Sequence, residues 1–247
     1  MPNVQIFPNI EFLARSAAEI FIQLAEESIA DHGVFRVALS GGSTPLSLYA
    51  LLASEPFSER VDWSRTHFFW GDERVVPPDH PDSNFYRARQ ALFENVPVPE
   101  PNIFRIPAEL RPEQAAELYE EVLLRYFSNV EEEEIRERAR FDLALLGMGD
   151  DGHTASLFPG TPAIHEETRW VAAQWVDKLA AWRITLTPAI LNRAAQVLFL
   201  VAGEGKSYTL QRVLYGSYQP DRYPAQAIQP EDGEVRWLVD EPAAALF

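Results

Sequence analysis

The run Phe141-Asp142-Leu143-Ala144-Leu145-Leu146 stops abruptly in Gly147-Met148-Gly149-Asp150-Asp151-Gly152-His153. A short apolar run bounded by glycines reads as a buried strand, the kind that parallel sheets bury on both faces. Glycines and acids cannot prolong it, so a tight loop opens at its carboxyl end. Open α/β sheets bind ligands at the carboxyl ends of their strands. Histidine has an intrinsic proton affinity suited to general base work near neutral pH. Asp151, two positions before His153, is placed to orient the ring or to stabilise its protonated form.

The same strand-then-loop pattern recurs. Phe35–Leu39 runs into Ser40-Gly41-Gly42-Ser43-Thr44-Pro45, Thr66–Trp70 into Gly71-Asp72-Glu73-Arg74, and Gln196–Val201 into Gly203-Glu204-Gly205-Lys206. Further strands are expected at 4–7, Val171–Val176, 183–186 and 235–239. The 3.6-residue spacing of apolar side chains predicts helices over 14–30, 45–52, 84–93, 112–130 and 206–214, with a short one at 188–193. The acidic run 131–134 reads as a solvated helix end or turn. The proline-rich stretch 218–230 is expected to wrap the surface. Strands alternating with helices predict an α/β protein with a doubly wound, mostly parallel, Rossmann-like sheet, and one domain over 1–247.

Composition narrows the function. The chain of 247 residues has no cysteine, which excludes disulfides, thiolate catalysis and cysteine-held metals. Its net charge of −16 argues against nucleic acid as a partner. Such a surface also repels anionic substrates unless cations are focused in one cleft. Arg183, opening Arg183-Ile184-Thr185-Leu186-Thr187, and Lys206, opening the helix after Gly203-Glu204-Gly205, are candidates for that task. No apolar stretch has membrane-spanning length and no signal peptide pattern follows Met1, so a cytoplasmic protein without membrane contact is expected.

The 40–45 loop can take a phosphate on backbone N–H groups at a helix start, with Ser43 or Thr44 as cap, or it can be an ordinary strand-to-helix turn. It lacks the GK[ST] ending of a P-loop and the GxGxxG of a dinucleotide site, which disfavours nucleotides. Gly71-Asp72-Glu73-Arg74 reads equally as a surface turn, Arg183 and Lys206 as surface charges, and His153 as a structural histidine. Histidines at 32, 67, 80, 153 and 165 show no metalloprotease spacing, and no GxSxG elbow is present. Neither a metal nor an organic cofactor is expected.

Taken in order, LSGGSTP at 39–45, WGDERVVPPDHPDSN at 70–84, LLGMGDDGHTASLFPG at 145–160, RITLT at 183–187 and GEGK at 203–206 resemble the 6-phosphogluconolactonase family. The resemblance implies hydrolysis of 6-phospho-D-glucono-1,5-lactone, a sugar-phosphate lactone of the oxidative pentose phosphate pathway, by a monomer. It implies His153 as general base supported by Asp151, and Arg74 at the oxyanion or product carboxylate. Asp72 would bind sugar hydroxyls or hold Arg74. Gly41, Gly42, Ser43 and Thr44, with Arg183 and Lys206, would take the phosphate. The related glucosamine-6-phosphate deaminases share several blocks but carry a glutamate where this chain has Phe158, which favours the simpler hydrolysis. A deaminase or isomerase, and a non-catalytic sugar-phosphate sensor, are the rival readings; the sensor lacks a basic DNA-binding segment here.

Overall fold

The computed structural model of the protein describes residues 2–128 and 139–247, so the acidic run expected as a solvated turn lies outside the described residues. In chain order the first half comprises β1 (Asn3–Phe7), α1 (Ile10–His32), β2 (Phe35–Leu39), α2 (Ser43–Leu52), β3 (Thr66–Trp70), β4 (Asp72–Arg74), α3 (Asn84–Ala88), β5 (Ile103–Phe104) and α4 (Pro112–Phe127). The second half comprises β6 (Leu143–Gly147), β7 (Val171–Val176), β8 (Ala181–Leu186), α5 (Pro188–Leu191), β9 (Gln196–Val201), α6 (Ser207–Tyr215) and β10 (Glu234–Asp240).

Seven strands form one sheet in the order β1-β10-β9-β6-β2-β3-β5, and every pairing in it is parallel. The central strands β2, β3, β6 and β9 are almost wholly buried, as their unbroken apolar runs demand. From β2 the sheet grows outward through β3 and β5; from β6 it grows the other way through β9 and β10. The direction of winding therefore reverses between β2 and β6. Loops leaving neighbouring strands diverge at such a point and leave a crevice. The loops that leave these two strands are the 40–45 loop and the 147–153 loop. Among the described residues no helix is long and apolar enough to cross a membrane.

The expected fold class holds, with one addition that changes the site. Gly71 was expected to end its strand in a turn; instead the chain enters a second sheet. The Gly71 N–H donates to Leu39 O at 2.8 Å, the last bond toward the parallel sheet, while Gly71 O accepts from the Leu186 N–H at 2.7 Å. Asp72–Arg74 then pairs antiparallel with β8, and β8 with β7, giving a three-stranded sheet. Arg183 is accordingly the third residue of β8 and lies opposite Arg74, not at a strand end. Helix α4 packs over β7 and β8, with the buried Glu120 carboxylate accepting from the Trp170 N–H at 2.7 Å.

Local chemistry explains other departures. Helix α1 starts earlier than its apolar spacing suggests because Asn9 Oδ1 accepts from the N–H groups of Glu11 and Phe12. Helix α2 starts at Ser43 with Gly42 as its N-cap, so neither Ser43 nor Thr44 caps it. Residues 84–93 split into α3 and a π-helical turn, Arg89–Phe93. Lys206 ends a 3-10 turn, Glu204–Lys206, that runs directly into α6. The stretch 218–230 does not merely wrap the surface: residues 223–228 are buried. Gln226 draws them in, its amide donating to the carbonyls of Arg212, Val213 and Ser217 while its Oε1 accepts from the Gln219 N–H.

Candidate active site

The first wall of the cleft is the turn from β2 into α2. The buried Tyr49 hydroxyl accepts from the Ser40 N–H at 3.0 Å and donates to Ser40 O at 2.7 Å, fixing where the strand ends. A Cβ on Gly41 would sit 2.0 Å from Asn84 Oδ1, so a side chain here would have to displace the buried Asn84 amide. Gly42, at φ 100°, takes a conformation that favours glycine. No side chain caps α2, which leaves its first N–H groups free for an anion.

The second wall is the loop after β6. The Gly149 N–H donates to His153 O at 2.8 Å and the Gly152 N–H to Gly149 O at 3.0 Å, closing a tight turn. Gly152, at φ 82°, lies against Tyr223 and Thr209, and its carbonyl accepts from the Ala225 N–H at 2.9 Å. The buried 223–228 segment thus supports the histidine loop from behind. His153 Nδ1 lies 2.6 Å from Asp151 Oδ1, which also accepts from the His153 N–H at 3.2 Å. The other carboxylate oxygen, Oδ2, takes Lys178 Nζ at 2.7 Å. Half-burial pushes the Asp151 carboxyl up, but hydrogen bonds from His153 and Lys178 outweigh it and hold the group well below the usual carboxylate range. The Phe158 ring stacks on the imidazole, 4.1 Å between centroids and 22° between planes. The ring is therefore fixed at its edge by a carboxylate and on its face by a phenyl.

The third wall comes from the antiparallel sheet. Arg74 and Arg183 sit opposite one another on β4 and β8. Burial, and then the Arg74 charge, lowers the proton affinity of the Arg183 guanidinium from its usual value. Arg74 Nη1 donates to Asp82 O at 2.6 Å and Arg183 Nη1 to Trp182 O at 3.0 Å. Among the described residues neither guanidinium forms an ion pair. Asp72 does not hold Arg74 by a hydrogen bond: its carboxylate accepts from Ser156 Oγ at 2.6 Å and from Asn84 Nδ2 at 3.2 Å. Those bonds tie β4 to the histidine loop and to α3. Ser156 is further held by Thr185 Oγ1, which accepts its N–H, and by the Gln174 amide, which donates to its carbonyl. Ala155, at φ 46°, takes the left-handed turn that aims Ser156 at Asp72.

These walls enclose a cleft of about 430 Å³. The glycine loop residues Gly41, Gly42, Ser43 and Thr44 line it, as do Asp72 and His153. The cations Arg74, Arg183 and Lys206 face the same space. Asp151 stands behind His153 and does not line the cleft. Lys206 Nζ rests 2.5 Å from Asp150 Oδ1. Three contributors escaped the sequence reading. Asn84 and Ser156 lie inside the motif blocks, where their polarity could have marked them as partners of Asp72. Lys178 carries no local signal, because its place depends on how the β7–β8 hairpin folds over the cleft. Among the described residues no three histidine or acidic side chains gather as metal ligands.

Known proteins place this geometry in a family. The profile of the glucosamine-6-phosphate isomerases and 6-phosphogluconolactonases matches residues 8–237. The 6-phosphogluconolactonase of Synechocystis is 42% identical over 98% of this chain and 97% of its own length. The solved structure of a 6-phosphogluconolactonase from Trypanosoma cruzi superimposes with a TM-score of 0.85 at 28% identity, covering 100% of this chain and 97% of the other. A monomeric glucosamine-6-phosphate deaminase shares the fold at a TM-score of 0.82 and 20% identity, covering 99% of this chain and 100% of its own. The match over nearly the whole chain in sequence and in fold shows that the chain belongs to the glucosamine-6-phosphate isomerase/6-phosphogluconolactonase family, on its 6-phosphogluconolactonase side.

Proposed function

We propose that His153 is the general base in the hydrolysis of 6-phospho-D-glucono-1,5-lactone to 6-phospho-D-gluconate in the oxidative pentose phosphate pathway. The observation that carries this reading is the 2.6 Å contact between His153 Nδ1 and Asp151 Oδ1, with the ring edge at the cleft. A carboxylate partner makes Nδ1 the protonated nitrogen, which leaves the Nε2 lone pair to accept a proton. A water molecule attacks the lactone carbonyl carbon as Nε2 takes its proton. The bond from that carbon to the ring oxygen then breaks, and the imidazolium returns the proton to the departing oxygen as it becomes a hydroxyl. Arg74 stabilises the negative charge that grows on the carbonyl oxygen. The free N–H groups of α2, with Ser43 and Thr44, receive the phosphate, and Arg183 and Lys206 balance its charge. Phe158 packs against His153 where a deaminase would need a further acid or base, which supports hydrolysis over deamination.

The test compares freshly generated 6-phosphogluconolactone with unphosphorylated gluconolactone at mildly acidic pH, where spontaneous hydrolysis is slow. Turnover confined to the phosphorylated lactone is the expected result. His153→Ala should cost about 10²–10⁴-fold in kcat with product affinity nearly unchanged. Ammonia release from glucosamine-6-phosphate, or tight binding without turnover, would replace this reading by a deaminase or a sensor.

A further inference from the structure

Lys178 belongs to none of the motif blocks, yet it reaches the proposed catalytic pair. It sits in the turn Asp177–Leu179 that joins β7 to β8, and the hairpin tip places both Lys178 and Leu179 on the cleft. The turn closes through Ala180 at φ 47°, a left-handed residue without glycine's freedom, so its course is set by the sheet rather than by local preference. From there Lys178 Nζ meets Asp151 Oδ2 at 2.7 Å, while His153 occupies Oδ1. One carboxylate is thereby shared between a permanent cation and the imidazole.

We propose that Lys178 is a positioning residue that sets the basicity of His153 through Asp151, a role that rests on His153 being the base. Asp151 both orients the ring through Nδ1 and attracts the imidazolium form. An ammonium on the second oxygen offsets part of that attraction while leaving the orienting contact in place. The other charged groups near the pair already have partners or lie across the cleft. Asp150, on the same loop, is paired with Lys206 at the start of α6. Asp72 on β4 is taken up by Ser156 and Asn84. Arg74 and Arg183, from β4 and β8, line the same cleft. Lys178 differs from them in touching Asp151 itself. Its side chain is 67% exposed, so the ion pair adds little to stability and the effect is confined to the titration of the pair.

The experiment measures kcat and KM against pH for the full-length enzyme and for Lys178→Met, Lys178→Arg and His153→Ala. In Lys178→Met the acidic limb of kcat/KM should move up by about half a pH unit, roughly a threefold loss of rate on the acid side. KM should stay within about twofold, and Lys178→Arg should restore the limb. A limb that does not move, or a rise in KM alone, would overturn the proposal and leave Lys178 as a surface ion pair or a substrate contact. Loss of activity in His153→Ala alongside an unmoved limb in Lys178→Met would reject the role of Lys178 while keeping the base. Full activity in His153→Ala would reject both.

Discussion

The two sheets divide the site between them in an unequal way. The seven-stranded parallel sheet contributes the loops that end β2, β6 and β9, and with them the glycine turn, His153 and Lys206. The three-stranded antiparallel sheet contributes Arg74, Arg183 and Lys178. The first is a scaffold whose central strands are buried on both faces; the second is a small flap that presents charge to the cleft. In a chain with net charge −16, the flap gathers three of the four cations that line the site. The scaffold thus positions the glycine turn and the histidine loop, and the flap supplies most of the positive field in the cleft.

Substitutions that act on one sheet alone sharpen this division. Arg183→Met should have the largest effect, a rise in KM for the phosphorylated lactone of about 10–100-fold from the loss of charge-assisted hydrogen bonds. Its unfolding midpoint should hardly change, and kcat should stay within about twofold. A fall in kcat with KM unchanged would remove Arg183 from the phosphate. Gly41→Ala, on the scaffold side, should do the opposite and lower stability by about 1–3 kcal/mol, because the new Cβ meets Asn84 Oδ1 at 2.0 Å. Denaturant melts measure it, and an unshifted midpoint would mean that α3 yields easily.

Ser156→Ala probes the bond between the two sheets. It removes the 2.6 Å donor to the buried Asp72 carboxylate and should cost about 1–2 kcal/mol together with a loss of kcat. Stability lost without any change in kcat would show that the seam is structural only. Asp151→Asn should show a pH-dependent penalty. The folded state holds Asp151 ionised below the usual carboxylate range, so its contribution is present above that range and is lost as pH falls through the depressed folded value. The difference in urea midpoint between wild type and variant should be widest near neutrality and shrink below about pH 4. A gap that grows on acidification would contradict the assigned pairing. Ala180→Gly should change stability least, by under about 1 kcal/mol, since relief of the left-handed alanine opposes the added chain entropy.

The same division explains what could be read in advance. Strands β2, β3, β6 and β9 are continuous apolar runs because both faces are covered, and each gives way to glycines and polar residues at its carboxyl end. That contrast is local, so the loops at their ends were legible. The antiparallel sheet was not. Asp72-Glu73-Arg74 has no strand-like composition; it is extended because Gly71 passes its carbonyl to Leu186 and because buried Glu73 accepts the N–H groups of Arg74, Asn84 and Phe85. Burial pushes the Glu73 carboxyl up, against those N–H donors. The burial of residues 223–228 is hidden from the sequence for a similar reason. Its proline and polar residues suggest a surface strap, but Gln226 carries its own hydrogen-bonding partners inward and is buried with them.

The sequence by itself determined the parallel α/β class, the strand ends that carry chemistry, and the pairing of Asp151 with His153, which stand two residues apart on one glycine turn. These follow from burial patterns and short-range geometry, which neighbouring residues encode. Only the tertiary structure decided that β2 and β6 lie side by side where the winding reverses. It alone set Arg74 against Arg183, tied Ser156 to Asp72, and brought Lys178 to Asp151 across 27 positions of chain. Such contacts depend on which sheet a strand joins and in what register, and that choice is made by the summed packing of the whole core rather than by any residue in the contact.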